Sequence, residues 1–423
     1  MPRAHPLPRR IAMAVAAALA GSAAGLTAVP AAAAPGPDAT PTAPLVASTD
    51  SAAAFELVKE SVPQHVDFRT TAGEPDFVWE FSDPQVTEVR VELIHTASGK
   101  KKTSKFHIGD GRAVFRWYGL FDDCTTVYNG AYTWRMTVTP ISGTVPPVER
   151  TGALTVDSGQ APHNFSDSGS PDLLVRADGT LYMFDSREAF QCHQGTARKI
   201  GPGWNDYDRI VTPGNVSGAR FSDLVTRDKT GVLWVHPGTG DPAAPIAPPV
   251  RVGGGWQVYN DITGHGDLDG DGRPDLVAAD KAGDFWFYKG TGDTAAPFAP
   301  RRKTGYGWNI YDKLVATGNL GGLPTGDLVA RDKAGVLWLY LGKGDGTFAP
   351  RTRIGGGWNI YNEIVAVGDA NRDGRPDLLT NGRSGHIGEL SLYRGTGDWE
   401  VPFEPRAAIT TLLPAPGWYS QLL

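Results

Sequence analysis

Between about Phe55 and Val156 apolar and polar residues alternate in short runs. Val89, Val91 and Leu93 stand against Arg90 and Glu92, and Tyr132, Trp134, Met136 and Val138 against Thr133, Arg135, Thr137 and Thr139. A period of two puts one face of a strand in a core and the other in water, so this stretch predicts an antiparallel β-sandwich. From about Asn164 onward the pattern changes to a repeat of about 50 residues, a length typical of one propeller blade. Gly-Trp pairs mark it at Trp204, Trp256, Trp308, Trp358 and Trp418, and an Asp-Leu pair recurs at Asp172, Asp223, Asp275, Asp327 and Asp377. Each unit holds about four short strands separated by Gly, Asp and Pro turns and shows no helical period, which predicts propeller blades.

Counting strands predicts how the ring closes. Repeats two to five each have a strand after the Gly-Trp-x-x-Tyr marker, at Ile210-Val211, Ile262-Thr263, Leu314-Val315 and Ile364-Val365. The first repeat has only 158–163 there, while the chain stops at Trp418-Tyr-Ser-Gln-Leu422-Leu423, a unit begun and not continued. The C-terminal segment is therefore expected to supply the missing strand of the first blade, leaving five blades and no open edge. The fold class expected is all-β: a sandwich over 54–158 followed by a five-bladed β-propeller over 159–423.

Two turns carry chemistry. Asp267-Leu-Asp269-Gly-Asp271-Gly272-Arg273-Pro274-Asp275 places carboxylates at positions 1, 3, 5 and 9 and glycine at 6, and Asp369-Ala-Asn371-Arg-Asp373-Gly374-Arg375-Pro-Asp377 repeats the arrangement. Calcium takes six to eight oxygens at roughly 2.3–2.6 Å, so it needs several acids on a backbone that curls. A solvated polar turn, the competing reading, leaves the spacing and the glycine without a reason. An EF-hand would need an acid at position 12, where Ala278 stands, and the apolar run after Asp275 continues as a strand. At the same ligand positions the corresponding turns of the other repeats keep one carboxylate each, Asp172, Asp223 and Asp327. With so little charge they are expected to hold no calcium and to close by hydrogen bonds.

The repeat resembles the FG-GAP or VCBS repeat of bacterial surface proteins and of integrin α-subunit propellers. Gly342-Lys-Gly344-Asp345-Gly346-Thr-Phe348-Ala-Pro350 is similar to that family's turn, and the two acidic loops are similar to its metal loop. The resemblance implies calcium held by the side chains of Asp267, Asp269, Asp271 and Asp275 with the Arg273 carbonyl, and by Asp369, Asn371, Asp373 and Asp377 with the Arg375 carbonyl. The stretch from Trp117 to Trp134 resembles the Ig-like domain first described in the flagellar hook-capping protein, a spacer or docking module. Cys124 stands where that family usually has a loop glycine.

The N-terminus has Arg3, Arg9 and Arg10, an apolar run from Ile11 to Val29 and the small residues Ala32-Ala33-Ala34, the layout of a secretory signal peptide over 1–34. The expected location is extracellular, with no membrane span after cleavage; an uncleaved anchor is the alternative. Arg9-Arg10 fits a twin-arginine signal poorly, and the export route stays open. Residues 35–53 read as a Pro, Ala, Thr and Ser linker. Export favours a bridge between the two cysteines, Cys124 and Cys192, which would clamp the sandwich to the first blade. At a net charge of -6 the chain has no basic excess, so no nucleic-acid partner is expected.

Trp204, Trp256, Trp308 and Trp358 are each followed three residues later by Tyr207, Tyr259, Tyr311 and Tyr361. Such rings either stack on sugars or fill the space between blades, and a residue kept in every unit favours packing. No G-x-S-x-G or H-E-x-x-H occurs. The function expected is a secreted, calcium-stabilised binding or adhesion module for glycans or a cell-surface polymer. The alternative is an extracellular hydrolase or lyase acting on polysaccharide at a propeller site.

Overall fold

The computed structural model describes residues 55–69, 74–84, 87–141, 145–159, 162–191, 197–382, 390–409 and 419–423. The expected signal peptide and linker, Cys192 and the Gly417-Trp418 pair lie outside the described residues. The described chain is all-β apart from one short helix, Ser186–Gln191, and several one-turn 3-10 helices.

The alternating stretch forms two sheets. Three strands, Leu57–Ser61, Asp76–Phe81 and Arg112–Arg116, pair in that order. Five more pair in the order His65–Val66, Val148–Val156, Gly130–Pro140, Thr87–His95 and Lys101–Ile108. Every pairing is antiparallel except that of His65–Val66. The period-two positions deliver what they imply: Val89, Val91, Leu93, Tyr132, Trp134, Met136 and Val138 are buried, in one core with Phe77, Trp79 and Trp117 from the smaller sheet and the turn.

Each repeat then makes one four-stranded antiparallel sheet, five in all among the described residues. In the second to fifth, the first strand follows the Trp marker (Tyr207–Gly214, Tyr259–Thr263, Tyr311–Gly318, Tyr361–Gly368) and the next carries the Asp-Leu marker (for example Asp223–Asp228 and Asp327–Asp332). Gly203, Gly255, Gly307 and Gly357 all have φ between 79° and 98°, the left-handed region where a side chain would be strained. That reversal starts the one-turn helix that drops each tryptophan into the core.

The first sheet is completed as its sequence implied. Gln421–Leu422 pairs antiparallel with Asp172–Ala177, setting Gln421 opposite Arg176 and Leu422 opposite Val175. The apolar side chains form five clusters, one between each sheet and the next and one between the fifth and the first, where Tyr419 and Leu422 pack with Leu173, Val175, Val367 and Leu379. The first strands of the five sheets surround one cavity of about 280 Å³. No sheet therefore buries its apolar faces alone; each depends on its neighbours.

The sandwich is joined to the first and fifth sheets by buried polar contacts. Arg187, fully buried, donates to the carbonyls of Phe68 at 2.9 Å and Gly119 at 3.3 Å. Thr126 gives its hydroxyl to Asp185 and its N–H to Glu188, and Arg372 of the fifth sheet's loop donates to Glu74 at 2.9 Å. Residues 52–423 accordingly form one compact unit.

Burying Leu422, Leu423 and Tyr419 stabilises by roughly 1.5–3 kcal/mol per side chain. Removing Tyr419–Leu423 strips that burial and bares the edge of Asp172–Ala177. The shortened protein is expected to melt at least several degrees lower and to self-associate, as read by thermal unfolding and size-exclusion chromatography; a monomer with unchanged melting would contradict the closure.

Candidate metal centre

The two acidic loops join the first and second strands of the third and fifth sheets. In the third sheet Asp267 winds the chain around its own carboxylate: Oδ1 accepts the N–H groups of Asp269, Gly270 and Asp271 at 3.1, 2.6 and 3.2 Å, and Oδ2 that of Gly272 at 2.7 Å. Gly270 and Gly272, at φ 85° and 86°, let those amides converge. Asp369 does the same in the fifth sheet, accepting Asp373 N–H at 3.0 Å and Gly374 N–H at 2.7 Å. Arg372 there takes φ 63° without being glycine, while its guanidinium holds Glu74.

Asp267, Asp269 and Asp275 offer carboxylate oxygens all within 4.8 Å of one another. Asp269 Oδ1 is buried there without a hydrogen-bond partner. Three convergent carboxylates and an orphaned oxygen fit a hard cation, which would supply the missing partner and offset the repulsion. Asp271 accepts Arg273 N–H at 2.9 Å and lies 3.4 Å from the Arg273 guanidinium. Lys289, from the turn after the third strand, sets its ammonium on Asp269 and, at 2.8 Å, on Asp271. Those two carboxylates raise its pKa. The lysine is an intrinsic cation at the loop that the sequence pattern did not single out, because it lies outside the nine-residue motif. Aligning the repeats puts Pro237, Leu341 and Arg394 at its place.

In the fifth sheet Asn371 replaces the third-position acid and donates to Asp373 at 2.9 Å. Arg273 and Arg375 are both exposed, and their N–H groups close the same small turn onto Asp271 and Asp373.

The ninth position has a role in all five sheets. Asp223 accepts the N–H groups of Val216, Ser217 and Gly238. Asp275 accepts Leu268 and Gly290, Asp327 accepts Leu320 and Gly342, and Asp377 accepts Ala370, Asn371 and Gly395. Asp172 holds Phe165 and Ser166. All five are buried. Burial pushes Asp327 up to about 6 and Asp275 and Asp377 up to about 7. The charge-poor loops do close by hydrogen bonds, helped by Asn215 to Gly218 and Asn319 to Gly321.

The four Gly-Trp tryptophans are only 6–8 % exposed. Trp256 stacks on Tyr288 at 4.5 Å, Trp308 on Phe285 at 3.9 Å, and Trp204 and Trp358 lie against His236 and Tyr393. Tyr259, Tyr311 and Tyr361 turn their hydroxyls to Tyr288, Tyr340 and Tyr393, and Tyr207 lies edge-on to His236. These faces are taken by neighbouring rings, which is the geometry of packing. Cys124 is disulfide-bonded and sits at φ 62°.

Residues 325–380 match the family described as FG-GAP-like repeat. The chain is a repeat protein rich in β-structure. That match spans the second strand and its aspartate in the fourth sheet through the fifth sheet's acidic loop to Thr380. No curated protein matches the chain. Among solved structures it is similar to AofleA from Arthrobotrys oligospora, at 10% identity, covering 82% of this chain and 95% of that one with a TM-score of 0.34. It is also similar to a DUF4784 family protein from Bacteroides caccae, at 9% identity, 85% and 96% coverage and a TM-score of 0.27.

Asp327 tests the ninth-position role away from any acidic loop. Asp327→Ala leaves the buried N–H groups of Leu320 and Gly342 without an acceptor, which is expected to cost about 3 kcal/mol in denaturant unfolding. A loss below about 1 kcal/mol would show that the carboxylate is dispensable.

Proposed function

We propose that the chain is an exported, calcium-stabilised binding module in which an Ig-like sandwich orients a five-bladed propeller. The observation that carries the calcium reading is the convergence of Asp267, Asp269 and Asp275 around an orphaned carboxylate oxygen. Five four-stranded sheets around one cavity, with apolar clusters between successive sheets, support the propeller. No described helix is long and apolar enough to cross a membrane. Bound calcium would cross-link loop positions that otherwise repel. The bonded state of Cys124 supports a bridge to Cys192, the chain's other cysteine.

Calcium is expected to raise the melting temperature by linkage, with two ions bound per chain in calorimetry. Asp269→Ala removes the orphaned oxygen while leaving the hydrogen bonds of Asp267 and Asp275 in place. It should cost one ion and leave the melting temperature in chelator nearly unchanged. Lys289→Ala, which deletes the competing ammonium, should tighten binding at the first loop. Equal melting in chelator and millimolar calcium would reject the metal.

The ligand class proposed is a glycan or other cell-surface polymer. With the Gly-Trp tryptophans buried, the rings open to a sugar among the described residues of the repeats are Tyr306 and Trp399, 85% and 38% exposed. A glycan array probed with calcium-loaded protein is expected to give hits that weaken in Tyr306→Ala or Trp399→Ala. An array with no signal above the chelator control would refute the glycan reading and leave the calcium reading standing.

A further inference from the structure

An arginine on the second strand staples some sheets to the next. Arg227 pairs with Asp208 of its own sheet at 2.8 and 2.9 Å and donates across to the carbonyls of Trp256 and Tyr259 at 2.9 and 2.8 Å. Arg331 repeats this with Asp312 and the carbonyls of Trp358 and Tyr361 at 3.1 and 2.7 Å. Arg176 reaches the carbonyls of Trp204 and Tyr207 at 2.8 and 3.1 Å. The receiving site is thus the same each time: two carbonyls at either end of a one-turn helix, which together accept one planar cationic donor group.

Between the third and fourth sheets the receiving site stands without its arginine. Register makes the substitution plain, since Arg227 lies opposite Arg209 and Arg331 opposite Lys313, while Ala279 lies opposite Asp261. Asn260 stands where Asp208 and Asp312 stand, so the guanidinium and its carboxylate are replaced together. The fourth sheet's one-turn helix is unchanged: Gly307 has φ 79°, Trp308 is buried, and Tyr311 N–H caps onto the Trp308 carbonyl as in its counterparts. The space a guanidinium fills in the second and fourth sheets is here a cavity of about 230 Å³, lined by Asn260, Ala279, Trp308, Asn309 and Tyr311. Ala279 forms its buried floor, and Asn260, Asn309, Asp312 and Lys333 are exposed around it.

We propose that this cavity binds a guanidinium group delivered from outside the chain, as on an arginine side chain. The carbonyl pair selects a donor and rejects anions, and the internal arginines show the orientation the guest takes. Asn260 offers a neutral acceptor where the internal staples have a carboxylate, and the two carboxylates in the lining are already engaged, Asp312 by Arg331 and Asp261 by the N–H groups of Ile262 and Leu314, so binding is reversible and weaker than theirs. Lys333 at the rim opposes a second positive charge, which favours a guest whose charge is spread over a plane and shielded by the carbonyls. The site stands apart from the acidic loops and does not depend on the calcium reading.

Calorimetric titration of the calcium-supplemented full chain with the peptide Gly-Arg-Gly, against Gly-citrulline-Gly as the neutral isostere, tests the proposal. Wild type is expected to bind the arginine peptide and to ignore the citrulline one. Ala279→Arg should abolish binding by filling the site from within, and Ala279→Leu should do so should that variant fail to fold. Asn260→Asp should tighten binding about tenfold by restoring the counter-charge. Parallel titration with arginine amide separates sources: equal affinity points to a small guanidinium compound, and a gain for the tripeptide to an arginine within a peptide. Equal binding of the two tripeptides by wild type, no binding of either, or unchanged binding in the folded Ala279 variants would overturn the proposal.

Discussion

A buried carboxylate at the same place in every sheet is the constraint on which the repeat region depends. Asp172, Asp223, Asp275, Asp327 and Asp377 each begin or immediately precede the second strand and gather backbone N–H groups from the preceding loop. In four sheets the other oxygen takes the N–H of a glycine beyond the third strand, Gly238, Gly290, Gly342 or Gly395. One side chain thus ties three segments of its sheet together. Burying it is costly, as the upward pKa shifts show, and the hydrogen bonds it collects offset that cost. A glycine is required at the far end because a Cβ on Gly290 would sit 2.1 Å from the Pro274 carbonyl, and one on Gly342 2.3 Å from that of Gly326.

The acidic loops are elaborations of this anchor. The strand pairing and the ninth aspartate are the same in charge-poor and charge-rich sheets; what the third and fifth add are acids at the first and fifth positions, with a third-position acid in the third sheet. The sandwich also leans on the repeats, through groups whose burial demands partners. Arg187 is wholly enclosed, burial pulls its pKa down to about 9, and two carbonyls of the sandwich receive it. Contacts of this kind are intolerant of separation, because parting the two faces would leave donors and acceptors buried and unpaired.

Much of this was legible in the chain. Period-two alternation marked the buried faces of the sandwich, the Trp and Asp-Leu markers gave five sheets, and the missing strand of the first repeat pointed to Leu422. These follow from local rules: side-chain direction, turn chemistry and the need to cover an edge. Tertiary structure alone decided the rest. It set Lys289 between Asp269 and Asp271, it used the ninth aspartate in every sheet, and it laid the tryptophan faces against neighbouring rings. It also showed that Ala279 leaves open a place that Arg227 and Arg331 fill. Each of these depends on which side chains meet between strands or sheets far apart in the chain. Sequence spacing sets the geometry within one strand or turn, and the packing of one sheet against the next sets which of those groups find a partner.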